Sequence, residues 1–123
     1  MPIVRIESVL ALEAVTPERA QLLSLADRLG RLFETPPGET SIRYTSVPLV
    51  HYAHNEAELA DDSEPTFVEI IQYAAPLESV RRAQAHEIAN LVAEALSRSK
   101  SSVHVIFQPD GRKRVAFGGE LVD

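Results

Sequence analysis

The sequence predicts a single α+β domain over residues 1–123, built from two tandem β-α-β units, and three observations support this prediction. Residues 66–71 repeat the hydrophobic pattern of residues 2–6 at an offset of 64. Residues 102–109 match residues 41–48 at an offset of 61. A helical pattern lies between the two strands of each unit. We therefore expect a four-stranded sheet with both helices on one face and parallel pairing within each unit.

The first unit, residues 1–55, begins with an alternating strand over residues 3–10. Thr16 is predicted as the N-cap of the following helix, with Pro17 at its first position, because hydroxyl side chains and proline favour those places. The helix is expected to reach about Phe33 and to carry an apolar stripe of Leu22, Leu25, Ala26, Leu29 and Leu32 or Phe33.

Pro36, Pro37 and Gly38 end this pattern, and residues 41–47 are predicted as the second strand. Residues 56–64 are acidic and are predicted to be a solvated linker between the units.

The second unit, residues 65–123, repeats the order of strand, helix and strand. Its helix is predicted over residues 77–98. A turn at Asp110 and Gly111 is expected to follow the fourth strand, and a short terminal strand or hairpin is expected to begin at Val115. The predicted buried stripe of the second helix consists of Val80, Ile88, Leu91, Val92 and Ala95.

Composition excludes several classes of function. The chain has no cysteine, which excludes disulfides and thiolate chemistry. Its formal charge of −6 argues against nucleic-acid binding, and the cluster of Arg112, Lys113 and Arg114 is interpreted as a solvated turn. No secretory leader or membrane-length apolar run is recognisable, so we expect a cytoplasmic protein with neither a nucleic-acid nor a membrane partner.

The pair Met1-Pro2 is the first candidate for chemistry. Removal of an initiator methionine before a small residue would give Pro2 a free secondary amine. An α-amino group has a pKa of roughly 7.7–8.0, and an apolar environment lowers it. Pro2 would then be a general base near neutral pH. The structural alternative is a proline that only begins a strand.

Together, Met1-Pro2, the repeated β-α-β unit, the strand Ser-Val-His-Val-Ile-Phe at 102–107 and the ending Ala-Phe-Gly-Gly-Glu-Leu at 116–121 resemble the tautomerase superfamily. This group contains 4-oxalocrotonate tautomerase and macrophage migration inhibitory factor. The resemblance implies a homotrimer with sites between subunits and no cofactor. It also implies that an N-terminal proline moves a proton between carbon and oxygen of a small carboxylate or enol substrate.

Carried onto this chain, the resemblance makes Pro2 the catalytic residue and His104 a residue that faces the Pro2 of a neighbouring subunit. Arg43 takes the equivalent strand position in the first unit, and would serve a site around Pro65. Tyr73 and Phe117 are expected to line the pocket. For His104 and Phe117 the alternatives are a half-buried sheet histidine and core packing, and Arg43 is alternatively a relic, a surface residue or a more remote contributor.

The family arginine that precedes a helix is missing in both units. Arg81 and Arg82 could replace it only with a register shift, and a solvated helix face is the alternative for both. Two rival functions therefore stay open: a non-enzymatic trimeric scaffold or ligand-binding protein, and a decarboxylase of a β-keto acid. A metal site is disfavoured, because the histidines at 51, 54, 86 and 104 lack metal-ligand spacing.

Overall fold

The computed structural model of the chain describes residues 1–11, 14–55 and 64–123. Two short 3₁₀ turns, Leu49–His51 and Lys100–Ser102, accompany the helices and strands. In chain order these are β1 (Ile3–Leu10), α1 (Arg19–Leu32), β2 (Ser41–Pro48), β3 (Thr66–Ile71), α2 (Glu78–Leu96), β4 (Val103–Phe107), β5 (Ala116–Phe117) and β6 (Glu120–Leu121).

The main sheet has the strand order β2-β1-β3-β4. Strand β1 runs parallel to β2, and β3 runs parallel to β4, whereas β1 and β3 are antiparallel. In the central pair Val4 lies opposite Ile70 and Ile6 lies opposite Val68. These pairs are symmetric under the 64-residue offset, so the two units are related by an approximate twofold axis between β1 and β3. The predicted sheet and its pairing within each unit are confirmed.

Both helices pack on the same face of this sheet, as predicted. The core combines alternate residues of β1 and β3 with one stripe from each helix. No helix in the described part of the chain has an apolar run that could cross a membrane. Full burial of each aliphatic side chain stabilises the fold by about 1.5–3 kcal/mol. The central cluster consists of Val4, Ile6, Leu25, Leu29, Val68, Ile70, Ile88 and Val92.

Helix α1 begins later than predicted, because Glu18 and not Thr16 is its N-cap. Glu18 has an extended backbone, and its N–H donates to Oε1 of Gln21 at 2.7 Å. Thr16 and Pro17 lie outside the helix, where they line a cleft together with Tyr44. The residue three positions after Glu18 is Gln21, whose side chain accepts the N–H of the cap as in a capping box, whereas the residue three positions after Thr16 is Arg19, whose side chain has no acceptor.

The predicted stripe of α2 was wrong at Val80, which is 46% exposed. Helix α2 has 19 residues, whereas the adjacent strand β4 has five. A helix rises about 1.5 Å per residue and a strand about 3.3 Å, so this helix is the longer element and its first turn extends past the sheet. The stripe at Ile88, Leu91, Val92 and Ala95 packs as expected.

The chain after β4 continues along the end of β3 before it turns. The N–H of Gly111 donates to the carbonyl of Gln72, and the Asp110 carboxylate accepts the N–H of Ala75 at 2.7 Å. The turn therefore spans residues 111–114, slightly later than predicted, and its basic side chains are exposed. Strands β5 and β6 form the expected terminal hairpin around Gly118 and Gly119, both with positive φ.

Most of the predicted linker, residues 56–63, lies outside the described residues. Glu64, its last residue, is not solvated, because its carboxylate pairs with Arg98 at 3.1 Å and the two side chains are 16% and 14% exposed. Arg98 also donates to the carbonyl of Val9 at 3.0 Å. These two contacts of Arg98 link the start of the second unit to the ends of β1 and α2.

Candidate active site

A cavity of about 570 Å³ opens at the start of β1. In the sheet, Ile3 lies between Ser41 of β2 and Ile71 of β3. One wall therefore comes from the segment that leads into β2, and the opposite wall comes from the segment after β3 and from the C-terminal residues. The lining consists of Met1, Ile3, Gly38, Glu39, Ser41, Tyr73, Phe117 and Val122.

The N-terminal nitrogen lies at this cavity. The Met1 amine is 3.5 Å from Oε2 of Glu39, while the Met1 side chain is only 7% exposed. Pro2 is buried behind it, and the Pro2 carbonyl accepts the N–H of Ser41 at 3.1 Å. Pro2 is thus held by a main-chain hydrogen bond to Ser41, and the Glu39 carboxylate contacts the residue before it.

The Met1 side chain packs closely against Gly111. A Cβ atom at Gly111 would collide with the Met1 sulfur, and it would also lie 3.0 Å from Cγ2 of Ile71 and 3.1 Å from the Gln72 carbonyl oxygen. A glycine is therefore required for this approach while Met1 is present. The methionine occupies space directly beside Pro2 that its removal would add to the cavity.

The opposite wall is fixed by the C-terminal segment. Tyr73 donates its hydroxyl hydrogen to the carbonyl of Asp123 at 2.6 Å. Because the hydroxyl is already hydrogen-bonded, we infer that Tyr73 lines the cavity with its ring. Val122 is held by main-chain bonds to Val115 and Lys113. The Arg112 guanidinium carbon lies 5.9 Å from the centroid of the Tyr73 ring, within the range of cation–π attraction.

The structure brings three of the predicted site residues together. Tyr73 and Phe117 line the cavity, and Pro2 lies between the lining residues Met1 and Ile3. Phe117 is 56% exposed, so it is not a core residue of this chain. His104 and Arg43 are not part of this cavity within one chain.

His104 and Arg43 instead project from the sheet face opposite the helices. The centroid of the His104 ring lies 4.9 Å from that of the Phe67 ring, and the Tyr52 ring centroid lies 6.2 Å from that of Phe67. His104 is exposed in the single chain, not half-buried. No cluster of three or more histidine or acidic side chains suited to a metal occurs among residues 1–11, 14–55 and 64–123.

The predicted equivalence of Arg43 and His104 is wrong by two residues. Ile3 of the first unit pairs with Ser41, whereas Phe67, its counterpart in the second unit, pairs with His104. In the same way Arg5 pairs with Arg43, and its counterpart Glu69 pairs with Ile106. A slip of two residues leaves every side chain on the same face, so the hydrophobic pattern cannot reveal it.

The two helical arginines do not supply the missing family cation at this cavity. Arg82 pairs with Glu78 one turn earlier on the exposed face of α2, as the solvated alternative predicts. Arg81 is partly buried, and its N–H donates to the Leu77 carbonyl within the first turn. Neither side chain lines the cavity at Met1.

Sequence reasoning missed one charged residue that lines the cavity, Glu39, and one that contacts the lining residue Tyr73, Arg112. Glu39 directly follows the Pro36-Pro37-Gly38 stop, in a segment without a periodic pattern. Arg112 had been assigned to a solvated turn. The pairing of β1 with β2 is the signal that could have found Glu39, because it places the residues before Ser41 beside the start of β1.

Comparison with solved structures yields full-length matches. A macrophage migration inhibitory factor from Trichinella spiralis superposes with a TM-score of 0.76 at 12% identity, covering 97% of this chain and 98% of that chain. A fused 4-OT, described as an asymmetric trimer, gives 0.74 at 15% identity, with coverage of 95% and 94%. The FG41 malonate semialdehyde decarboxylase gives 0.67 at 15% identity, with coverage of 94% and 88%.

The chain has the fold of the tautomerase superfamily. The resemblance seen in the sequence is therefore confirmed for the fold. No family model matches the sequence, and no curated protein matches it. At these identities the comparisons establish the tautomerase fold, and the chemistry has to be argued from the cavity itself.

Proposed function

We propose that this chain is a cofactor-independent keto–enol tautomerase whose base is the Pro2 amine, freed by removal of Met1. The substrate is a small 2-hydroxydienoate or enol-pyruvate type acid. The observation that carries the proposal is a cavity of about 570 Å³ lined by Met1 and Ile3, the residues on either side of Pro2, so that removal of Met1 would open the Pro2 nitrogen toward it. The fused 4-OT among the structural neighbours supports it by analogy of fold.

The reaction requires one group that accepts and then returns a proton. In ketonisation the Pro2 nitrogen takes the proton of the enol hydroxyl. The electron pair of the O–H bond forms the carbonyl, and the π electrons of the C=C bond move to the adjacent carbon. The ammonium then delivers the proton to the adjacent carbon, so atoms and charge balance without a cofactor. The cavity lining is apolar at Ile3, Phe117 and Val122, and apolar surroundings disfavour the charged form of an amine.

The proposed assembly is a homotrimer in the cytoplasm, in which the uncovered sheet faces of three chains enclose a barrel. The support is that this face exposes Ile106, while Phe67 and Ile71 on the same face are only partly covered. Sedimentation should give three times the 13.5 kDa mass of the chain. A monomer at micromolar concentration would contradict this arrangement.

Glu39 favours a second candidate, decarboxylation of a β-keto acid. Glu39 lies 3.5 Å from the Met1 amine, and if it also approaches the Pro2 amine once Met1 is removed, its carboxylate would stabilise the protonated form of that amine. A protonated Pro2 could then polarise the β-carbonyl while the C–C bond to the substrate carboxylate breaks. Carbon dioxide leaves, and the enol that remains takes up a proton at carbon. The malonate semialdehyde decarboxylase among the structural neighbours fits this chemistry.

Replacing Glu39 by Gln distinguishes the two candidates. We expect the substitution to leave kcat/KM for ketonisation nearly unchanged, because that reaction uses the neutral amine, which a carboxylate does not stabilise. Decarboxylation of malonate semialdehyde near neutral pH should fall instead. Parallel assays of both substrates measure this, and a rise in decarboxylation would exclude the second candidate.

The test of the main proposal is ketonisation of phenylenolpyruvate by protein whose intact mass lacks one methionine. Protein in which the Pro2 nitrogen remains an amide is the comparison. Equal rates would remove Pro2 as the base and would leave the non-enzymatic ligand-binding protein as the better interpretation.

A further inference from the structure

Arg112 contacts Tyr73, a residue that lines the cavity. Its backbone N–H donates to the Tyr73 carbonyl at 3.1 Å, and its guanidinium lies against the Tyr73 ring. The side chain is exposed and has no ion pair among residues 1–11, 14–55 and 64–123. The main chain thus positions this cation while its charged end stays available to a ligand.

The charges at the cavity are arranged on opposite sides of β1. Glu39 lies on the β2 side and approaches the Met1 nitrogen, whereas Tyr73 follows the end of β3 and Arg112, from the chain after β4, is hydrogen-bonded to Tyr73. A bound carboxylate is repelled by Glu39 and attracted by Arg112. These two charges therefore favour one orientation of the ligand, with its carboxylate toward Arg112. The lining between them is apolar at Ile3, Phe117 and Val122.

We propose that Arg112 binds the carboxylate of the substrate at the Tyr73 side of the cavity. The substrate class is then a monocarboxylic enol whose apolar group contacts Phe117 and Val122 and whose reacting carbon lies near the Pro2 nitrogen. The placement of the reacting carbon of the substrate near Pro2 rests on the proposed function. Arg112 supplies the charge that neither Arg81 nor Arg82 brings to the cavity.

A binding experiment tests Arg112 without any turnover. Processed protein is titrated with 3-phenylpropanoate, a saturated acid, and with the uncharged 3-phenylpropanol. Loss of a charge-assisted hydrogen bond weakens binding by about tenfold or more, so Arg112→Ala should raise the Kd of the acid by that factor and leave the Kd of the alcohol unchanged. Arg114→Ala removes the same charge from the same turn and is the matched control.

The kinetic counterpart compares phenylenolpyruvate with its methyl ester. Arg112→Ala should raise KM for the acid about tenfold while kcat stays within about twofold, and the ester should be unaffected. Arg112→Lys should recover part of the loss. Equal weakening of acid and alcohol, an unchanged Kd of the acid, or an equal effect of Arg114→Ala would overturn the assignment.

Failure of the proposed function gives a different result. In that case the acid still binds in an Arg112-dependent manner, but ketonisation is absent or is independent of the Pro2 nitrogen. If Arg112→Ala binds the acid normally and His104→Ala or Arg43→Ala does not, the carboxylate is held by a neighbouring subunit and the Arg112 proposal is wrong.

Discussion

Inserting one leucine between Met1 and Pro2 is expected to reduce ketonisation of phenylenolpyruvate to the uncatalysed rate. A methionine followed by a large residue is retained, so the Pro2 nitrogen stays an amide without a basic lone pair. General acid–base catalysis contributes about 10²–10⁴-fold, and this contribution should disappear. Intact mass verifies the N-terminus, and kcat/KM measures the effect.

Pro2→Ala is the matched control for this prediction. Alanine also permits removal of Met1, so a free amine returns to the same end of β1 without the proline ring. Activity should fall less than in the insertion variant, because a base of similar pKa is still present but less rigidly held. Full activity in the leucine insertion variant would show that the Pro2 nitrogen takes no part in the reaction.

The second large effect concerns stability. Arg98→Met is expected to lower the free energy of unfolding by about 2–4 kcal/mol, because it leaves the Glu64 carboxylate and the Val9 carbonyl without their donors. Both side chains of this pair are mostly buried, so solvent replaces the lost bonds poorly. Urea unfolding at one fixed protein concentration measures the change, since oligomers gain stability with concentration.

The surface pair of Arg28 and Glu94 is the control, with a contact of similar length but greater exposure. Arg28→Met should cost less than about 1 kcal/mol. The double variant Glu64→Gln with Arg98→Met should lose less free energy of unfolding than the sum of the losses in the two single variants, because no buried charge is left unpaired. An Arg98→Met effect equal to that of Arg28→Met would contradict the role of Arg98.

The sheet could be predicted from the sequence because its signals are local. Alternation in β1 and β3, an apolar stripe in each helix and the Pro36-Pro37-Gly38 stop are readable over short windows. The offset of 64 between the first strands agrees with the antiparallel register of Val4 with Ile70. Burial predicted from periodicity failed at Val80, because the first turn of α2 extends past the sheet, which a local pattern does not show.

The site could be predicted only in part because it depends on contacts between distant segments. Glu39 reaches the N-terminal nitrogen through the register of two strands, and Arg112 reaches Tyr73 through the chain that follows β4. No local pattern encodes either approach. The predicted equivalence of Arg43 and His104 failed because a two-residue slip preserves the face, and only hydrogen bonding fixes the register.

The contact of Arg98 with Glu64 has a consequence for stoichiometry. The approximate twofold axis between β1 and β3 relates the start of β1 to the start of β3. Pro65 precedes β3 as an internal residue whose nitrogen is an amide, and Arg98 donates to both the carbonyl and the carboxylate of Glu64 just before it. Under the proposed mechanism the start of β3 therefore supplies no basic amine, and we expect one reacting site for each chain.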